Sequence, residues 1–211
     1  FMLTVLGNIV LVRLAAPYGH AEGTLIQKLI AQATAHLPGI ARRKYELTGL
    51  LLGGTFIFAV GLYDDRYAIR PKVKLAGQII AALIFVIFFF ISQEQTSFFF
   101  IQNPILVSLL LILWIVSITN SINLMDNMDG LCAGVSAISL FFFALVAYQV
   151  GEQTFMILAM LALLGAVLGF LWHNFNPARI FMGDAGSMFI GYLLACLIVF
   201  STFYTAQSHT I

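Results

Sequence analysis

The sequence has little charge for its length. Of its 211 residues, 9% are charged and 61% are hydrophobic, whereas an ordinary soluble domain carries about 25% charged residues. So few charged side chains cannot cover the surface of a soluble globular protein, and so many apolar ones exclude a disordered chain. The composition therefore predicts an integral membrane protein.

Cysteine and clustered basic residues are also scarce. Cys132 and Cys196 both lie in apolar stretches, so we expect neither a disulfide framework nor a pair of metal-ligating thiols. The formal net charge is +1 and no basic patch stands out, which argues against nucleic acid as a partner. No charged segment precedes the apolar run at Phe1, so no signal peptide is predicted, and we expect the chain to be a fragment of a longer multi-span protein.

Long apolar runs predict an all-α fold, a polytopic transmembrane helix bundle with about seven spans. They predict helices because backbone groups in lipid must be paired within the segment, and the alternation of a membrane barrel is missing. The first span, Phe1–Leu14, is partial. Residues 1–211 form one transmembrane domain, with Ala15–Glu46 as a non-membrane or interfacial insertion. The fuller spans are Leu47–Tyr63, Leu75–Ile91, Pro104–Thr119, Leu131–Val150, Phe155–Trp172 and Ala185–Tyr204.

All five aspartates fall outside these spans, in three loops that are separated by two spans each time. Because each span reverses the chain direction, the three loops share one face of the membrane. The short loops between them contain no Asp, Lys or Arg, which favours a cytoplasmic aspartate face. One feature opposes this assignment: the basic stretch Ala15–Glu46 lies on the other side by the same parity. The aspartates are Asp64, Asp65, Asp126, Asp129 and Asp184.

Carboxylates gathered on one face repel each other, and a hard divalent cation would relieve that repulsion. Mg²⁺ prefers oxygen ligands and usually takes one or two protein carboxylates together with substrate phosphates. Basic side chains in the same loops can neutralise phosphate oxygens. The pattern therefore indicates phosphate chemistry at the membrane surface. The alternative is that each aspartate is only a wet loop residue or a helix cap, as Asp129 and Asp184 could be.

Two polar strings indicate how the site is built. Asp64 and Asp65 are adjacent, and neighbours on a helix point about 100° apart. One can therefore bind a metal while the other acts as a base or orients the ligand. Asn120, Asn123 and Asp126 follow each other at intervals of three residues, which predicts a polar stripe along one helix face. Such a stripe can hydrogen-bond a polar ligand densely.

A third polar string precedes the last span. From Asn174 to Ser187 the sequence indicates a loop that ends in the start of a helix. Its segment 182–187 is small and flexible enough for backbone N–H groups to approach an anion. This string therefore adds an anion-binding feature to the aspartate face.

At these strings the chain resembles the polyprenyl-phosphate N-acetylhexosamine-1-phosphate transferases. These bacterial membrane enzymes move a sugar-1-phosphate from a UDP-sugar onto a lipid phosphate. The resemblance runs from about Leu50 to Tyr204 and depends on four strings in the same order, which makes it highly specific. The strings are Gly61-x-x-Asp64-Asp65, Lys74-x-x-x-Gln78, Asn120-x-x-Asn123-x-x-Asp126-x-x-Asp129-Gly130-Leu131-x-x-Gly134 and Asn174-Phe175-x-Pro177-Ala178-x-x-Phe181-Met182-Gly183-Asp184-x-Gly186-Ser187.

The resemblance implies a role for each matching residue. Asp184 would ligate Mg²⁺ with Asp65 nearby, and Mn²⁺ is the alternative ion. Asp64 would act as the base or orient the attacking lipid phosphate, and Lys74 would neutralise phosphate charge, so the implied catalytic residues are Asp64, Asp65 and Lys74. The residues implied to bind the nucleotide-sugar are Asn120, Asn123, Asp126, Asp129, Asn174 and Phe181, the last against the uracil.

The implied reaction is transfer of N-acetylhexosamine-1-phosphate, expected to be GlcNAc-1-phosphate, from a UDP-sugar to undecaprenyl or another polyprenyl phosphate. It would release UMP and initiate an envelope polysaccharide such as lipopolysaccharide O-antigen. The implied location is the bacterial inner membrane, with the active site on the cytoplasmic face. Asp126–Asp129 and Asn174–Phe181 look more like this subgroup than like phospho-N-acetylmuramoyl-pentapeptide transferases of peptidoglycan synthesis, which are the alternative. Direct attack and a covalent enzyme intermediate both stay open.

Two features of the family have no match in the sequence: an early basic cytoplasmic loop and a later histidine cluster that helps choose the sugar. We therefore predict that these 211 residues alone are inactive, and an inactive structural relative is an alternative. An ion transporter is a weaker one, because it would place charges inside spans. Three Gly-x-x-x-Gly pairs, beginning at Gly49, Gly130 and Gly165, fit helix packing within one subunit, with a homodimer as the alternative.

Overall fold

A computed structural model describes residues 44–92, 103–150 and 154–208 of the protein. Within those ranges the chain forms six α-helices, a short 3₁₀ turn and no strand. All six helices are long and apolar enough to cross a membrane. This confirms the all-α, multi-span architecture that the composition predicts. The helices are α1 (Lys44–Tyr67), α2 (Pro71–Ser92), α3 (Pro104–Leu124), α4 (Leu131–Val150), α5 (Thr154–Asn174) and α6 (Gly183–Ser208).

Each of the six fuller predicted spans corresponds to one of these helices. Most helices run a few residues past the predicted limits, and α1 begins at Lys44, so the end of the predicted insertion is already helical. The partial span Phe1–Leu14 and the rest of Ala15–Glu46 lie outside the described residues, and both stay predictions.

The polar stripe predicted on α3 is interrupted. The helix ends at Leu124, and Asp126 lies in the 3₁₀ turn Met125–Asn127 with a non-helical backbone, φ −78° and ψ 19°. The Asn127 amide donates to the Leu124 carbonyl oxygen at 2.8 Å. A side chain that pairs with a backbone carbonyl in this way competes with the next helical hydrogen bond, so short polar residues end helices. Asp126 is therefore displaced from the helix that bears Asn123.

Helix α6 is the central helix of the described bundle. Two thirds of its apolar window is buried (67%), against 28–39% for the windows of the other five helices. Its buried side chains include Met188, Tyr192 and Phe200, which belong to one core with residues of α1 to α5. Because α6 meets the other helices, the residues at its start can be reached from several loops.

Small residues bring α1 close to α6. A Cβ atom added at Gly61 would lie 2.5 Å from the Ala185 Cα atom, and one added at Gly53 would collide with the Tyr192 ring. The Tyr192 hydroxyl donates to the Gly49 carbonyl oxygen at 3.2 Å. Packing at the first Gly-x-x-x-Gly pair is thus confirmed within one subunit, and the contact at Gly61 sets the last turn of α1 against the first turn of α6.

The other two glycine pairs do not pack in this way. A Cβ atom added at Gly134, Gly165 or Gly169 would meet no atom within 4 Å in the part of the chain that the structure describes. The packing role predicted within the subunit is therefore wrong for Gly165 and Gly169, which are exposed among the described residues. An added Cβ atom at Gly130 would lie 3.6 Å from Leu171 Cδ1, so that glycine does contact α5, although its partner Gly134 meets nothing. Spacing alone does not reveal which side of a helix is covered.

Candidate active site

The predicted aspartate face exists as one end of the bundle. Helices α1, α3 and α5 end there, and α2, α4 and α6 begin there, as the alternation of spans requires. Hydrogen bonds and ion pairs join the loops across this end, over sequence separations of up to 120 residues. Side chains from four distant parts of the sequence therefore form one polar cluster.

Lys74 lies at the centre of that cluster. Its ammonium nitrogen is 3.0 Å from Asp64 Oδ2 and 2.6 Å from Asp184 Oδ1. The Asp64 carboxylate is buried, and its other oxygen accepts the Ile69 backbone N–H at 2.8 Å. That bond closes the tight turn between α1 and α2, in which Ala68 adopts a left-handed φ of 47°. The turn thus brings the start of α2 back onto the end of α1.

Asp65 has a different partner from its neighbour. Its two carboxylate oxygens accept the backbone N–H groups of Asp184 at 2.7 Å and Ala185 at 3.1 Å. A carboxylate at a helix N-terminus is stabilised by these unpaired N–H groups and by the helix dipole. The sequence predicts an anion at this helix start. In the structure the backbone N–H groups there already bind the carboxylate of Asp65.

The close approach of Asp65 explains Gly183. This residue has a left-handed φ of 69°, and an added Cβ atom would lie 3.0 Å from each Asp65 carboxylate oxygen. Asp126 lies close enough to the Gly183 backbone and to Asp65 and Asp184 for their charges to act on its carboxylate. Three carboxylates therefore surround the turn that begins α6.

Asn123 contacts the same carboxylate oxygen of Asp184 as Lys74 does. Its amide nitrogen donates to Asp184 Oδ1 at 2.6 Å and to Ser187 Oγ at 2.8 Å, and the Ser187 hydroxyl in turn donates to the Gly183 carbonyl. Sequence reasoning missed Ser187 as a partner, although its position three residues after Asp184 places both on one helix face. Asn120 is exposed and takes no part in this network among the described residues.

The loop between α5 and α6 is held by two of the predicted substrate-binding residues. Asp129 Oδ2 accepts the Asn176 amide at 3.2 Å and the Ala178 backbone N–H at 3.1 Å. Asn174, only 3% exposed, accepts the Gly130 N–H at 3.1 Å and donates to the Ile180 carbonyl at 2.9 Å. Both side chains therefore tie this loop to the turn before α4.

Phe181 is carried on that loop with its ring free to meet a ligand. It is 76% exposed, and the backbone beside it is fixed through the bond from Asn174 to Ile180. An aromatic face that is exposed on a braced loop can stack on a planar ring. The structure thus brings Phe181 to the same end of the bundle as the aspartates.

The polar cluster suits a metal ion that is also bound by phosphate. Within 44–92, 103–150 and 154–208, no group of three or more Asp, Glu, His or Cys side chains is arranged to hold a metal ion. Two carboxylates, those of Asp64 and Asp184, already share one cation, the Lys74 ammonium. Mg²⁺ bound mainly through substrate phosphates needs one or two carboxylates. The donor set therefore suits a magnesium–phosphate complex better than a metal held by protein alone.

Comparisons with known proteins agree with this chemistry. The model of the family described as glycosyl transferase family 4 matches residues 47–202. A "Probable undecaprenyl-phosphate N-acetylglucosaminyl 1-phosphate transferase" of Bacillus subtilis (strain 168) is 37% identical over 161 residues, which cover 72% of this chain and 43% of that protein. A decaprenyl-phosphate N-acetylglucosaminephosphotransferase of Mycobacterium tuberculosis (strain H37Rv) is 37% identical over 179 residues, 76% of this chain and 44% of that protein.

A third relative carries a different name. It is a phospho-N-acetylmuramoyl-pentapeptide-transferase of Lactobacillus johnsonii, 34% identical over 173 residues, which are 79% of this chain and 52% of that protein. The chain thus spans about half the length of the curated relatives it matches.

Proposed function

Because the chain belongs to glycosyl transferase family 4, we propose that the whole protein transfers a sugar-1-phosphate from a nucleotide-sugar to a polyprenyl phosphate in a membrane. In its finer form, the proposal is Mg²⁺-dependent transfer of GlcNAc-1-phosphate from UDP-GlcNAc to undecaprenyl phosphate, with release of UMP. The observation that carries it is the Lys74 ammonium between Asp64 and Asp184, at the end of a bundle of membrane-spanning helices.

Such a reaction has to overcome electrostatic repulsion between its substrates. Both substrates are anionic, so their phosphates repel as they approach. Lys74 offers positive charge at the cluster, and Mg²⁺, when bound, neutralises phosphate charge and orients the leaving group. Asp184 would hold that ion, with Asp65 as the second predicted ligand. Asp64 is the other carboxylate that contacts the Lys74 ammonium. Binding both substrates in one site supplies the proximity that the transfer needs.

A general base has little to do here. The second pKa of a phosphate monoester is about 6, so the attacking lipid phosphate is largely ionised near neutral pH. Asp64 is therefore assigned to positioning: it holds Lys74 and orients the lipid phosphate. Asp65 fixes the start of α6, and Asn123 fixes the Asp184 carboxylate, so the acidic groups keep their geometry when anions enter.

The nucleotide would bind across the braced loop. Phe181 would pack against the uracil, while Asp129 and Asn174 hold the loop that carries it. Asp126 and Asn120 are the remaining predicted contacts to the nucleotide-sugar. We propose that this end of the bundle faces the cytoplasm, where UDP-sugars are made, and that the membrane is the bacterial inner membrane.

The identity of the transferred sugar also has to be tested. Relatives named for N-acetylglucosamine transfer and for phospho-N-acetylmuramoyl-pentapeptide transfer match the chain at similar identity. The alternative function is therefore the peptidoglycan reaction with UDP-N-acetylmuramoyl-pentapeptide. We favour GlcNAc-1-phosphate on the strings Asp126–Asp129 and Asn174–Phe181.

The test uses membranes that contain the full-length protein. They are incubated with undecaprenyl phosphate and either labelled UDP-GlcNAc or labelled UDP-N-acetylmuramoyl-pentapeptide, with Mg²⁺ or with a chelator. We expect a lipid-linked product and UMP from UDP-GlcNAc, and only with Mg²⁺. Product from the pentapeptide donor alone would select the alternative, and no product from either donor would contradict the proposed function.

A further inference from the structure

Gln78 of α2 is a buried amide that the proposed chemistry does not use. It is 2% exposed, and its one amide donation to a described residue is to the sulfur of Met188 at 3.6 Å, a weak acceptor. Its Oε1 has no hydrogen-bond partner in the part of the chain that the structure describes. A buried carbonyl without a donor is destabilising, the more so in a membrane-spanning helix, where no bulk water compensates.

Gln78 lies one helical turn from Lys74 on the same face of α2. The contacts between α2 and α6 repeat after one helical turn. Lys74 contacts Asp184, and four residues further along both helices Gln78 contacts Met188. Helical side chains lean towards the N-terminus of their helix, so the Gln78 side chain leans towards Lys74. Residues at this spacing have Cβ atoms about 5–6 Å apart, within reach of two long side chains.

The Lys74 ammonium has a further hydrogen to donate. It carries three N–H groups, and its partners among the described residues are Asp64 and Asp184, at 3.0 Å and 2.6 Å. The unpaired Oε1 of Gln78 and the third N–H of Lys74 therefore belong to residues that are one helical turn apart on the same face of α2.

We propose that Gln78 is a positioning residue for Lys74, and this proposal rests on the proposed function. Its carbonyl oxygen accepts the third N–H of the ammonium and keeps it between Asp64 and Asp184 when anionic substrates enter. Phosphates at the open end of the bundle attract the ammonium outward, and an acceptor one turn deeper opposes that attraction. Gln78 acts through Lys74 and touches no substrate.

The test compares Gln78→Met with Gln78→Glu in the full-length protein. Methionine suits the apolar neighbour Met188 but accepts no strong hydrogen bond, whereas glutamate keeps an acceptor and adds a buried carboxylate. If Gln78 only packs, methionine is the better tolerated change in both activity and stability. If it positions Lys74, Gln78→Met lowers kcat about tenfold with KM for UDP-GlcNAc within about twofold, and raises the melting temperature. Gln78→Glu then keeps kcat within about threefold of the wild type.

Ser136→Ala is the matched control. Ser136 lies on α4, is fully buried, and also carries an oxygen without a partner among the residues that the structure describes. Its replacement is expected to leave kcat at the wild-type value. Unchanged kcat in Gln78→Met, or a greater loss of kcat in Gln78→Glu than in Gln78→Met, overturns the proposal.

A second readout separates this proposal from the proposed function. If the wild type has no transferase activity, the proposed function fails, and Gln78 is judged by thermal unfolding in detergent. The single variants Lys74→Met and Gln78→Met are then compared with the double variant. If the melting-temperature shift of the double variant differs from the sum of the two single shifts, the contact is supported. If the shifts are additive, the contact is overturned.

Discussion

At the scale of single residues, the two adjacent aspartates of α1 have separate tasks. Asp64 binds the Lys74 ammonium, and Asp65 binds the first backbone N–H groups of α6. The division follows from helix geometry, because neighbours point about 100° apart and cannot face the same partner. One carboxylate therefore shares the central cation with Asp184, while the other fixes the helix on which Asp184 lies.

Asp184 has the carboxylate that lies closest to the Lys74 ammonium, at 2.6 Å. Replacing it by asparagine keeps the side-chain size but leaves Lys74 with one carboxylate, and it removes the predicted magnesium ligand. We expect Asp184→Asn to lower the rate of lipid-linked product formation by at least about 100-fold, as removal of one preorganised electrostatic group can do. The measurement is product formation from labelled UDP-GlcNAc in membranes with equal amounts of folded protein. Activity close to that of the wild type would remove Asp184 from the site.

At the scale of helices, the close contact between α1 and α6 determines the site. The last turn of α1 carries both aspartates, and it can approach the first turn of α6 only because Gly61 has no side chain. The backbone of α6 lies where that side chain would be, so a larger residue cannot be accommodated by a side-chain rotation. The helices must separate instead, and the bonds from Asp65 to α6 lengthen with them.

We therefore expect Gly61→Val to destabilise the fold by about 1–3 kcal/mol through overpacking and to lower activity as well. Gly165→Ala is the control, because an added Cβ there meets no atom within 4 Å of the described structure. Alanine inside a helix is expected to gain about 0.5–1 kcal/mol over glycine. Thermal unfolding in detergent measures both variants. Equal stability of Gly61→Val and the wild type would contradict the close contact.

At the scale of the whole molecule, the membrane divides the bundle into two ends with different chemistry. The end that carries the aspartates also carries exposed Arg179, whereas exposed Asn103 caps the start of α3 at the other end. Both cysteines of these 211 residues are buried, Cys132 at 1% and Cys196 at 0% exposure. This part of the protein therefore offers a low background for labelling at introduced thiols.

Arg179→Cys and Asn103→Cys test the proposed orientation. We expect a membrane-impermeant maleimide to label Arg179→Cys in inside-out vesicles and Asn103→Cys in spheroplasts, because the two positions lie on opposite sides of the bilayer. The wild type is the control for background labelling. Labelling of Arg179→Cys from outside the cell would place the site on the outer face.

Hydropathy and parity predict the helices and the end at which the aspartates meet. Apolar runs of span length must form helices in lipid whatever they pack against, and an even number of crossings returns the chain to the same side. The recurrence of Asp, Asn and Lys at span ends therefore predicts a common polar end. Residue types at that end also indicate phosphate chemistry, since carboxylates and an ammonium are what anionic substrates and a magnesium ion require.

Only the tertiary structure decides which partner each of these side chains has. It pairs Lys74 with Asp64 and Asp184, makes Asp65 the cap of α6, and buries Gln78 beside Met188 with a free carbonyl oxygen among the described residues. The physical reason is that span formation is local, whereas partner choice depends on how each helix is rotated against its neighbours. That rotation is fixed by close contacts over long sequence separations, such as Gly61 against Ala185.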